Sequence, residues 1–518
     1  MGFDGGRGRG IGWQKITSKQ PSMEKQMKII SKINKKVLAR SIQRAKERGI
    51  ILPTFAQQKD PKKVPAKIQS KLKKVGLQDV NPLNLFRITW FNDPKTGGFN
   101  DGNFIEFPSE LTGVGARLVG LIGRYFPTGA HKVGAAYGCL VPRLVSGNFD
   151  PTEQKAVWPS TGNYCRGGAY DCALLACPAI AILPEGMSKE RFEWLRSINT
   201  DEIIATPGTE SNVKEIYDKC WELRRERGNK IVIFNQFEEF GNSIWHYNMT
   251  GGAIESIYNK YFKKANSRLS GYISATGSAG TIAAGDFLRT KHPDIRVVAC
   301  EAAQCPTLYQ CGFGAHRIEG IGDKHIPWVH NVRNTNAVSA IDDEQVMQLL
   351  RLFNEEAGKT YLKKLGLSEE YVASLKAVGI SGMCNLVSAI KTAKYYDMDG
   401  RDVIFFPLTD SMDLYASRIA EMRAEEGAFT AEKAARTYGQ WLAGCTPDTF
   451  RELSYFGQKQ LHQFKYFTWV EQQGKTSDEL RELWDPDFWK ELFDESQVKQ
   501  WDKLITDFNN ATGLLKAL

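Results

Sequence analysis

The feature that most constrains the fold of this chain is an alternation of strand and helix patterns between about residues 85 and 420. Short runs rich in β-branched and apolar residues predict strands at residues 179–183, 203–205, 231–234, 272–274, 296–300 and 403–406. Apolar residues at helical spacing predict helices between them, at residues 189–197, 213–227 and 282–291. Such alternation is typical of an α/β fold with parallel sheets covered by helices on both faces.

Two segments with other patterns flank this region. A basic, glycine-rich leader is followed by helical spacing over residues 22–48, which Gly49 should end, and by a proline-containing stretch, 52–66, that we interpret as a linker. The last ninety residues combine helical spacing with many aromatic side chains, which we expect to pack into a core or a dimer interface. We therefore predict three units: residues 1–84, an α/β core of two interleaved subdomains at 85–427, and an aromatic-rich helical C-terminal extension at 428–518.

Positive charge is concentrated near the N-terminus. Residues 1–76 contain 20 lysines and arginines against 4 acidic residues, so they carry a formal charge of +16, whereas the whole chain carries +9. A basic arm can bind nucleic acid or an acidic partner, or it can be a solvated face. Because no nucleic-acid-binding motif accompanies the charge, we do not expect nucleic acid as a partner.

Cysteine spacing and hydropathy exclude further classes. The ten cysteines form no C-x-x-C pair, so we expect reduced thiols and no metal site. No stretch approaches the ~20 apolar residues that span a bilayer, and the N-terminus lacks the apolar segment of a secretion signal. We therefore expect a cytoplasmic protein with no membrane segment.

A turn of small residues follows the strand predicted at 272–274 and precedes a helix. It comprises Gly277, Ser278, Ala279, Gly280 and Thr281, after Thr276. Small residues let backbone N–H groups approach a phosphate closely, and the start of a helix favours negative charge. The turn is neither G-x-G-x-x-G nor a P-loop, so it does not predict a dinucleotide or a nucleoside triphosphate.

Three further segments contain candidate site residues. Lys132 lies among small and apolar residues (TGAHKVGAA), which suits a lysine that reacts as a neutral amine, although an exposed helix start would give the same pattern. Ser160, Thr161, Gly162, Asn163 and Tyr164 form a turn that could hold a carboxylate, or could cap a helix. Ser381 lies in a glycine-flanked turn before another helix.

Together, these segments resemble the fold type II enzymes that depend on pyridoxal 5'-phosphate (PLP), and most closely cysteine synthase and cystathionine β-synthase. Three further stretches resemble family motifs in the same order: LPEGMSKER at 183–191, NQF at 235–237 and HRIEGIG at 316–322 followed by Ile326-Pro327. The resemblance covers roughly residues 120–420 and implies a PLP-dependent core at 85–427, with terminal extensions that match nothing in the basic family.

The resemblance implies a role for each candidate residue. Lys132 falls where the family has its Schiff-base lysine, Asn163 where an asparagine binds the cofactor 3'-hydroxyl, and Ser381 where a serine meets the pyridine nitrogen. A neutral serine there makes the ring a weaker electron sink, which suits β-elimination. The phosphate cup corresponds to Gly277, Ser278, Ala279, Gly280 and Thr281. The loop for the substrate carboxylate corresponds to Ser160, Thr161 and Gly162, with Gln236 nearby.

Three positions depart from the family pattern. The segment at 128–132 is similar to that of the tryptophan synthase β subunit, but Ser160 stands in place of that enzyme's catalytic glutamate, which argues against indole chemistry. Tyr164 replaces a threonine of the carboxylate loop, and Cys165 replaces a glycine. We expect the bulky Tyr164 phenol to reshape the substrate pocket.

The resemblance implies β-replacement or β-elimination on a serine- or cysteine-like amino acid, through an aminoacrylate intermediate, by a homodimeric lyase or transferase of the cysteine synthase type. One alternative is an amino-acid lyase, either a cysteine desulfhydrase or a serine/threonine ammonia-lyase, that releases a keto acid and ammonia. An alternative of another class is a non-catalytic scaffold or polyanion-binding protein built on a retired PLP core.

Overall fold

A computed structural model describes residue 30 and residues 32–209 and 211–517. The described chain contains two sheets, a seven-stranded sheet in the order β1-β2-β10-β7-β8-β9-β11 and a four-stranded sheet in the order β5-β4-β3-β6. The strands are β1 Phe104–Phe107, β2 Arg117–Ile122, β3 Lys155–Pro159, β4 Ala179–Pro184, β5 Glu202–Thr206, β6 Ile231–Ile233, β7 Arg268–Ala275, β8 Arg296–Ala302, β9 Ala337–Ile341, β10 Asp402–Leu408 and β11 Phe450–Glu452.

The predicted α/β class with parallel sheets is confirmed. Every strand pair of the small sheet is parallel, and the large sheet is parallel except at its two edge strands, β1 and β11. Strands β4 and β10 are buried along their whole length, as expected for central strands with helices on both faces. All six predicted strands are present, within a few residues of their expected bounds.

Helices connect and cover the strands. The predicted helices at 189–197 and 213–227 are confirmed, and the one predicted from residue 282 begins one residue later. The α-helices of eight or more residues are Lys35–Glu47, Lys132–Ser146, Asn163–Leu174, Lys189–Ser197, Val213–Arg227, Ala283–Lys291, Asp343–Asn354, Glu356–Lys364, Ile380–Tyr395, Ala416–Glu426, Ala431–Tyr438, Tyr455–Lys465 and Glu495–Thr512. Shorter ones are Phe55–Lys59, Ala66–Leu72, Ser109–Thr112, Phe240–Trp245, Gly251–Ile257, Thr307–Gln310, Glu369–Ser374, Ser477–Glu482, Pro486–Leu492 and Leu514–Ala517.

The N-terminal segment differs from its prediction in two ways. The helix was predicted to begin at residue 22, but residues 22–29 and 31 lie outside the described residues. The described helix begins at Lys35, and the side chain of the preceding Asn34 caps it by accepting the Val37 N–H. Gly49 follows its end with a left-handed φ of +66°, as predicted. The linker interpretation of 52–66 is wrong, because this stretch forms short capped helices whose apolar side chains are buried.

Packing explains why the supposed linker is ordered. Thr54 and Gln57 form a capping box at the start of the helix Phe55–Lys59. The Phe55 ring is buried, with ring centroids 5.2 Å from Trp501 and 5.8 Å from Tyr137. The N-terminal segment is therefore held between the core and the C-terminal segment.

The C-terminal segment is helical apart from β11, which pairs antiparallel with β9 at the edge of the large sheet. Trp469, Trp489 and Trp501 are buried, whereas Phe456 and Phe467 are exposed. The aromatic residues therefore divide between the core and the surface.

In the described part of the chain, no single helix has both the length and the apolarity needed to cross a bilayer. One pair of helices, Glu369–Ala377 and Ile380–Tyr395, meets the length and composition test jointly, but it is bent by 112°.

Candidate active site

A cavity lies where the carboxyl ends of strands from both sheets meet, which is the usual ligand position in open α/β sheets. Ala275 is the last residue of β7, and Ser160 and Thr409 directly follow β3 and β10; all three line the cavity. The lining residues are His131, Lys132, Ser160, Thr161, Asn163, Tyr164, Gln236, Phe237, Ala275, Gly277, Ser278, Thr281, Gly320, Ile321, Asp323 and Thr409.

Lys132 is the first residue of the helix Lys132–Ser146 and is half-buried. Its Nζ lies 3.0 Å from Ser278 Oγ and 3.4 Å from Gln236 Oε1. The lysine therefore reaches from the start of its helix to the turn at 276–281, so its amine is placed inside the cavity.

The turn at 276–281 is shaped by its small residues. A Cβ at Gly277 would lie 2.7 Å from the Gly320 oxygen, and one at Gly280 would overlap the Asn242 side chain. Ala279 has a left-handed φ of +58°. The Asn242 side chain donates to Ser278 Oγ at 3.1 Å, which fixes the turn from behind. The narrow, polar turn fits a phosphate group that is bound by backbone N–H groups and hydroxyls.

The turn at 160–162 is built by hydrogen bonds within itself and to Gln236. Ser160 Oγ accepts the Gly162 N–H at 3.0 Å and the Gln236 side chain at 3.3 Å. Gly162 has a φ of +153°, and a Cβ there would overlap the Arg191 guanidinium, so the position requires glycine. The turn opens directly into the helix Asn163–Leu174.

A buried charged network supports this turn from outside the cavity. Arg191 donates to the Thr161 carbonyl at 2.8 Å and to Tyr415 Oη at 2.9 Å, and it lies 3.3 Å from Glu319. Asp410 accepts from Tyr415 Oη and from the Asn163 amide, each at 2.6 Å. All five side chains are buried, so the orientation of Asn163 depends on this network.

Four of the candidate residues do not line the cavity. Ser381 is buried in the first turn of the helix Ile380–Tyr395, and Gly379 before it donates its N–H to the Asp410 carbonyl at 3.2 Å. Gly162, Ala279 and Gly280 lie in the cavity-forming turns but give no atoms to the lining. The remaining nine candidates line the cavity together.

Tyr164 lines the cavity from a buried position. Its ring packs edge-on against Trp158, with centroids 5.4 Å apart, and burial raises the pKa of the phenol well above its usual range. The buried hydroxyl lies next to the Cys139 thiol, which also raises the pKa of the phenol. This neutral phenol adds bulk beside the turn at 160–162.

Two titratable residues of the lining were not among the sequence candidates. Burial and the Lys132 charge lower the pKa of His131 well below its usual value, so the imidazole is neutral. Burial raises the pKa of Asp323 to about 8. The only sequence signal was position, since His131 precedes the lysine and Asp323 follows the glycine-rich segment 316–322.

The C-terminal segment holds the chain that follows Asp323. The buried Lys465 Nζ donates to the carbonyls of Trp328 and His330, at 2.9 Å and 2.7 Å, and Trp469 Nε1 donates to the Ile326 carbonyl at 2.8 Å. Three backbone carbonyls of one active-site segment therefore depend on two side chains of the C-terminal helices.

Lys465 gives a testable pH dependence. Burial lowers its pKa to about 7, whereas an unfolded lysine has a pKa of ~10.4. Between these values the unfolded chain binds a proton that the folded protein lacks, so the contribution of Lys465 to stability should rise with pH, by up to ~1.4 kcal/mol per unit. We expect Lys465→Met to remove this slope and to cost about 1–3 kcal/mol near pH 9.

Urea unfolding of the two proteins between pH 6 and 10 measures the effect. Lys503→Met, which alters an exposed lysine of the same C-terminal segment, should change neither the slope nor the free energy of unfolding by more than ~0.5 kcal/mol. A constant difference between wild type and Lys465→Met at all pH values would contradict the prediction.

Comparison with known proteins agrees with this geometry. Residues 124–360 match the family of pyridoxal-phosphate dependent enzymes. A cysteine synthase of Staphylococcus aureus is 28% identical over 233 residues, which cover 45% of this chain and 72% of the relative. Cysteine synthase B of Campylobacter jejuni is 28% identical over 292 residues, which cover 56% and 87%.

Solved structures share the fold. A hydrogen sulfide-producing enzyme of Fusobacterium nucleatum superimposes with a TM-score of 0.51 at 23% identity, over 60% of this chain and 96% of its own. A cysteine synthase of Entamoeba histolytica gives 0.53 at 18% identity, over 65% and 92%. Fold, lysine and phosphate-sized turn define a PLP-dependent enzyme of fold type II. Within that class, the chain is similar to cysteine synthases, at 28% identity over 45% of its length.

Proposed function

We propose that this enzyme catalyses β-replacement on a serine- or cysteine-like amino acid, with β-elimination as the competing outcome. The observation that carries the proposal is the position of Lys132, whose Nζ faces the phosphate-sized turn and Gln236 in one cavity. Curated cysteine synthases related to this chain support the choice of substrate class.

The residues of the cavity divide into three tasks. PLP would be held through Lys132, by the turn at 277–281 and by Asn163, and when bound it withdraws electron density from the substrate Cα. The turn at 160–162 and Gln236 would bind the substrate carboxylate through backbone N–H groups and side-chain donors. Lys132 would then take the Cα proton at its Nζ.

The proposed role of Ser381 at the pyridine nitrogen carries less support, since this side chain is buried outside the lining. Thr409 lines the cavity beside Asp410 and offers a neutral hydroxyl in the same region. Either hydroxyl would leave the ring nitrogen without a carboxylate partner, which favours chemistry at Cβ over transamination.

Product analysis tests the proposal. Purified protein with added PLP is incubated with serine, threonine, O-acetylserine or cysteine, each with and without sulfide. We expect cysteine to form from O-acetylserine and sulfide, and pyruvate with ammonia to form when sulfide is absent. 2-Oxobutyrate from threonine as the main product would instead establish the ammonia-lyase alternative, and no turnover of any substrate would leave the scaffold alternative.

The resemblance also leads us to propose a homodimer in the cytoplasm. Sedimentation equilibrium tests the homodimer: a mass of twice 58.2 kDa supports it, and a mass of 58.2 kDa at micromolar concentration contradicts it.

A further inference from the structure

Asp323 is an acidic residue of the cavity that the proposed steps above do not use. Its side chain is 6% exposed, and the residue lines the same cavity as Lys132, Ser160 and Gln236. Its Oδ2 is buried and has no hydrogen-bond partner among the described residues. A buried carboxyl oxygen without a hydrogen-bond partner destabilises the fold, and such atoms are expected at sites where a bound ligand supplies the partner.

The backbone around Asp323 is fixed by neighbours on both sides. Gly320 and Gly322 have left-handed φ values of +96° and +81°, which direct the segment back towards the cavity. The Gly322 N–H donates to the Thr276 carbonyl at 2.9 Å, and Thr307 Oγ1 donates to the Asp323 carbonyl at 2.9 Å. The backbone segment that carries Asp323 is therefore held against the turn at 276–281 by one hydrogen bond.

The electrostatic surroundings favour a protonated carboxyl. Burial raises the pKa of Asp323 to about 8, and the charge of Lys132 acts in the opposite direction. Two titratable groups that sense the Asp323 charge, Tyr217 and Cys305, are neutral because burial raises their pKa values. His325, which lies 3.0 Å from Tyr217 Oη, is neutral too, because burial lowers its pKa to about 3. Near pH 7 the carboxyl therefore holds a proton that it can donate.

We propose that Asp323 is the general acid that protonates the leaving group on the substrate Cβ, which admits amino acids whose β-substituent is an unactivated hydroxyl. The inference rests on the proposed function and deepens it, because it names the class of leaving group. A leaving hydroxide is far more basic than a leaving thiolate or carboxylate, so only the hydroxyl strictly needs an acid.

The proton and electron balance is complete with the residues in the cavity. Lys132 Nζ takes the Cα proton, and the electrons of that C–H bond form the Cα–Cβ double bond. The Cβ–O bond breaks with its electron pair on oxygen, which takes the Asp323 proton and leaves as water. When a thiol then adds at Cβ, its proton passes to the Asp323 carboxylate and the Lys132 ammonium returns a proton to Cα.

Asp323→Asn with three substrates tests the inference. The amide keeps the shape but holds no acidic proton, so we expect kcat/KM to fall by about 10²–10³-fold for serine and by less for cysteine. The value for O-acetylserine should change by less than about threefold, because acetate leaves without protonation. A loss of equal size with all three substrates would overturn the inference.

Asp286→Asn is the matched control. Burial also raises the pKa of the Asp286 carboxyl, to about 7, but this residue accepts hydrogen bonds from Asn331 and Asn334 and does not line the cavity. Any loss of stability in this variant should scale turnover of the three substrates alike. A selective loss with serine in this control would also overturn the inference.

Infrared spectroscopy gives a readout that needs no turnover. With ¹³C-labelled aspartate, the wild-type protein at pH 7 should show a protonated-carboxyl band that Asp323→Asn weakens but does not abolish, because burial also raises the pKa values of Asp171 and Asp286. In Asp286→Asn the Asp323 part of the band should remain. If Asp323→Asn leaves the band unchanged, Asp323 is ionised and the inference fails. Bound-cofactor absorbance of wild type is recorded in parallel: its absence, with no turnover, refutes the proposed function itself, whereas an active wild type with uniform losses refutes only the role of Asp323.

Discussion

Replacing Lys132 with alanine is expected to abolish the visible absorbance of bound PLP. It should also lower the turnover of every amino acid substrate by at least about 10³-fold. No other lysine lines the cavity, as far as the described residues show. If Lys132 has the proposed roles, the variant loses both the amine that holds the cofactor and the base that takes the Cα proton, so absorbance and turnover should be lost together. Absorption spectra after addition of PLP, with steady-state assays, measure the two effects.

Lys214→Ala is the control for this experiment. Lys214 is exposed, and among the described residues it forms a surface ion pair with Asp218 one turn further along its helix, so its removal should alter neither absorbance nor turnover. If Lys132→Ala bound PLP with an unchanged spectrum and kept its activity, the assignment of Lys132 would be wrong. If wild type itself stayed colourless, the scaffold alternative would gain support.

Arg191→Met should produce the largest loss of stability, about 3–5 kcal/mol in the free energy of unfolding. The guanidinium is fully buried. It donates hydrogen bonds to the Thr161 carbonyl and Tyr415 Oη and forms an ion pair with Glu319. Methionine fills a similar volume but leaves the Glu319 carboxylate with Arg418 as its remaining ion-pair partner. Because Thr161 belongs to the turn that we propose binds the substrate carboxylate, KM for the amino acid should rise more than kcat falls.

Arg196→Met makes the matched comparison, because it changes the same residue type in the same helix at an exposed position. We expect its free energy of unfolding to stay within ~0.5 kcal/mol of wild type. Urea unfolding of wild type, Arg191→Met and Arg196→Met measures the three free energies of unfolding. Equal stabilities of Arg191→Met and wild type would show that the buried network is not needed to hold the turn.

Local sequence predicted six of the eleven strands described, including both edge strands of the small sheet, β5 and β6, and it missed β1, β2, β3, β9 and β11. The predicted runs in β4, β7, β8 and β10 are almost fully buried, which explains their apolar residues, whereas those in the edge strands β5 and β6 are only partly buried. Strand β11 was missed because Phe450–Glu452 is short and charged, as an edge strand can be. Strand β2 contains Gly120, which weakens the pattern, yet a Cβ there would lie 2.9 Å from the Leu408 side chain of the neighbouring strand.

The linker prediction failed for a related reason. Prolines at 53, 61 and 65 indicate breaks in local structure, but a proline is also compatible with the first turn of a helix. What orders the stretch is burial of Phe55 against Trp501, which lies 446 residues further along the chain. No window of the local sequence contains that contact.

The sequence by itself determined the α/β class and pointed to Lys132 and to the turns at 160–162 and 276–281 as candidate site residues. The conformation of these turns depends on consecutive small residues, so the sequence pattern records it. Only the tertiary structure decided which side chains surround them. It brought Asp323 beside Lys132, joined Arg191 to Tyr415 across 224 residues, and placed Ser381 outside the lining. The physical reason is that pKa values and buried ion pairs depend on burial and charge from distant segments, which no local pattern records.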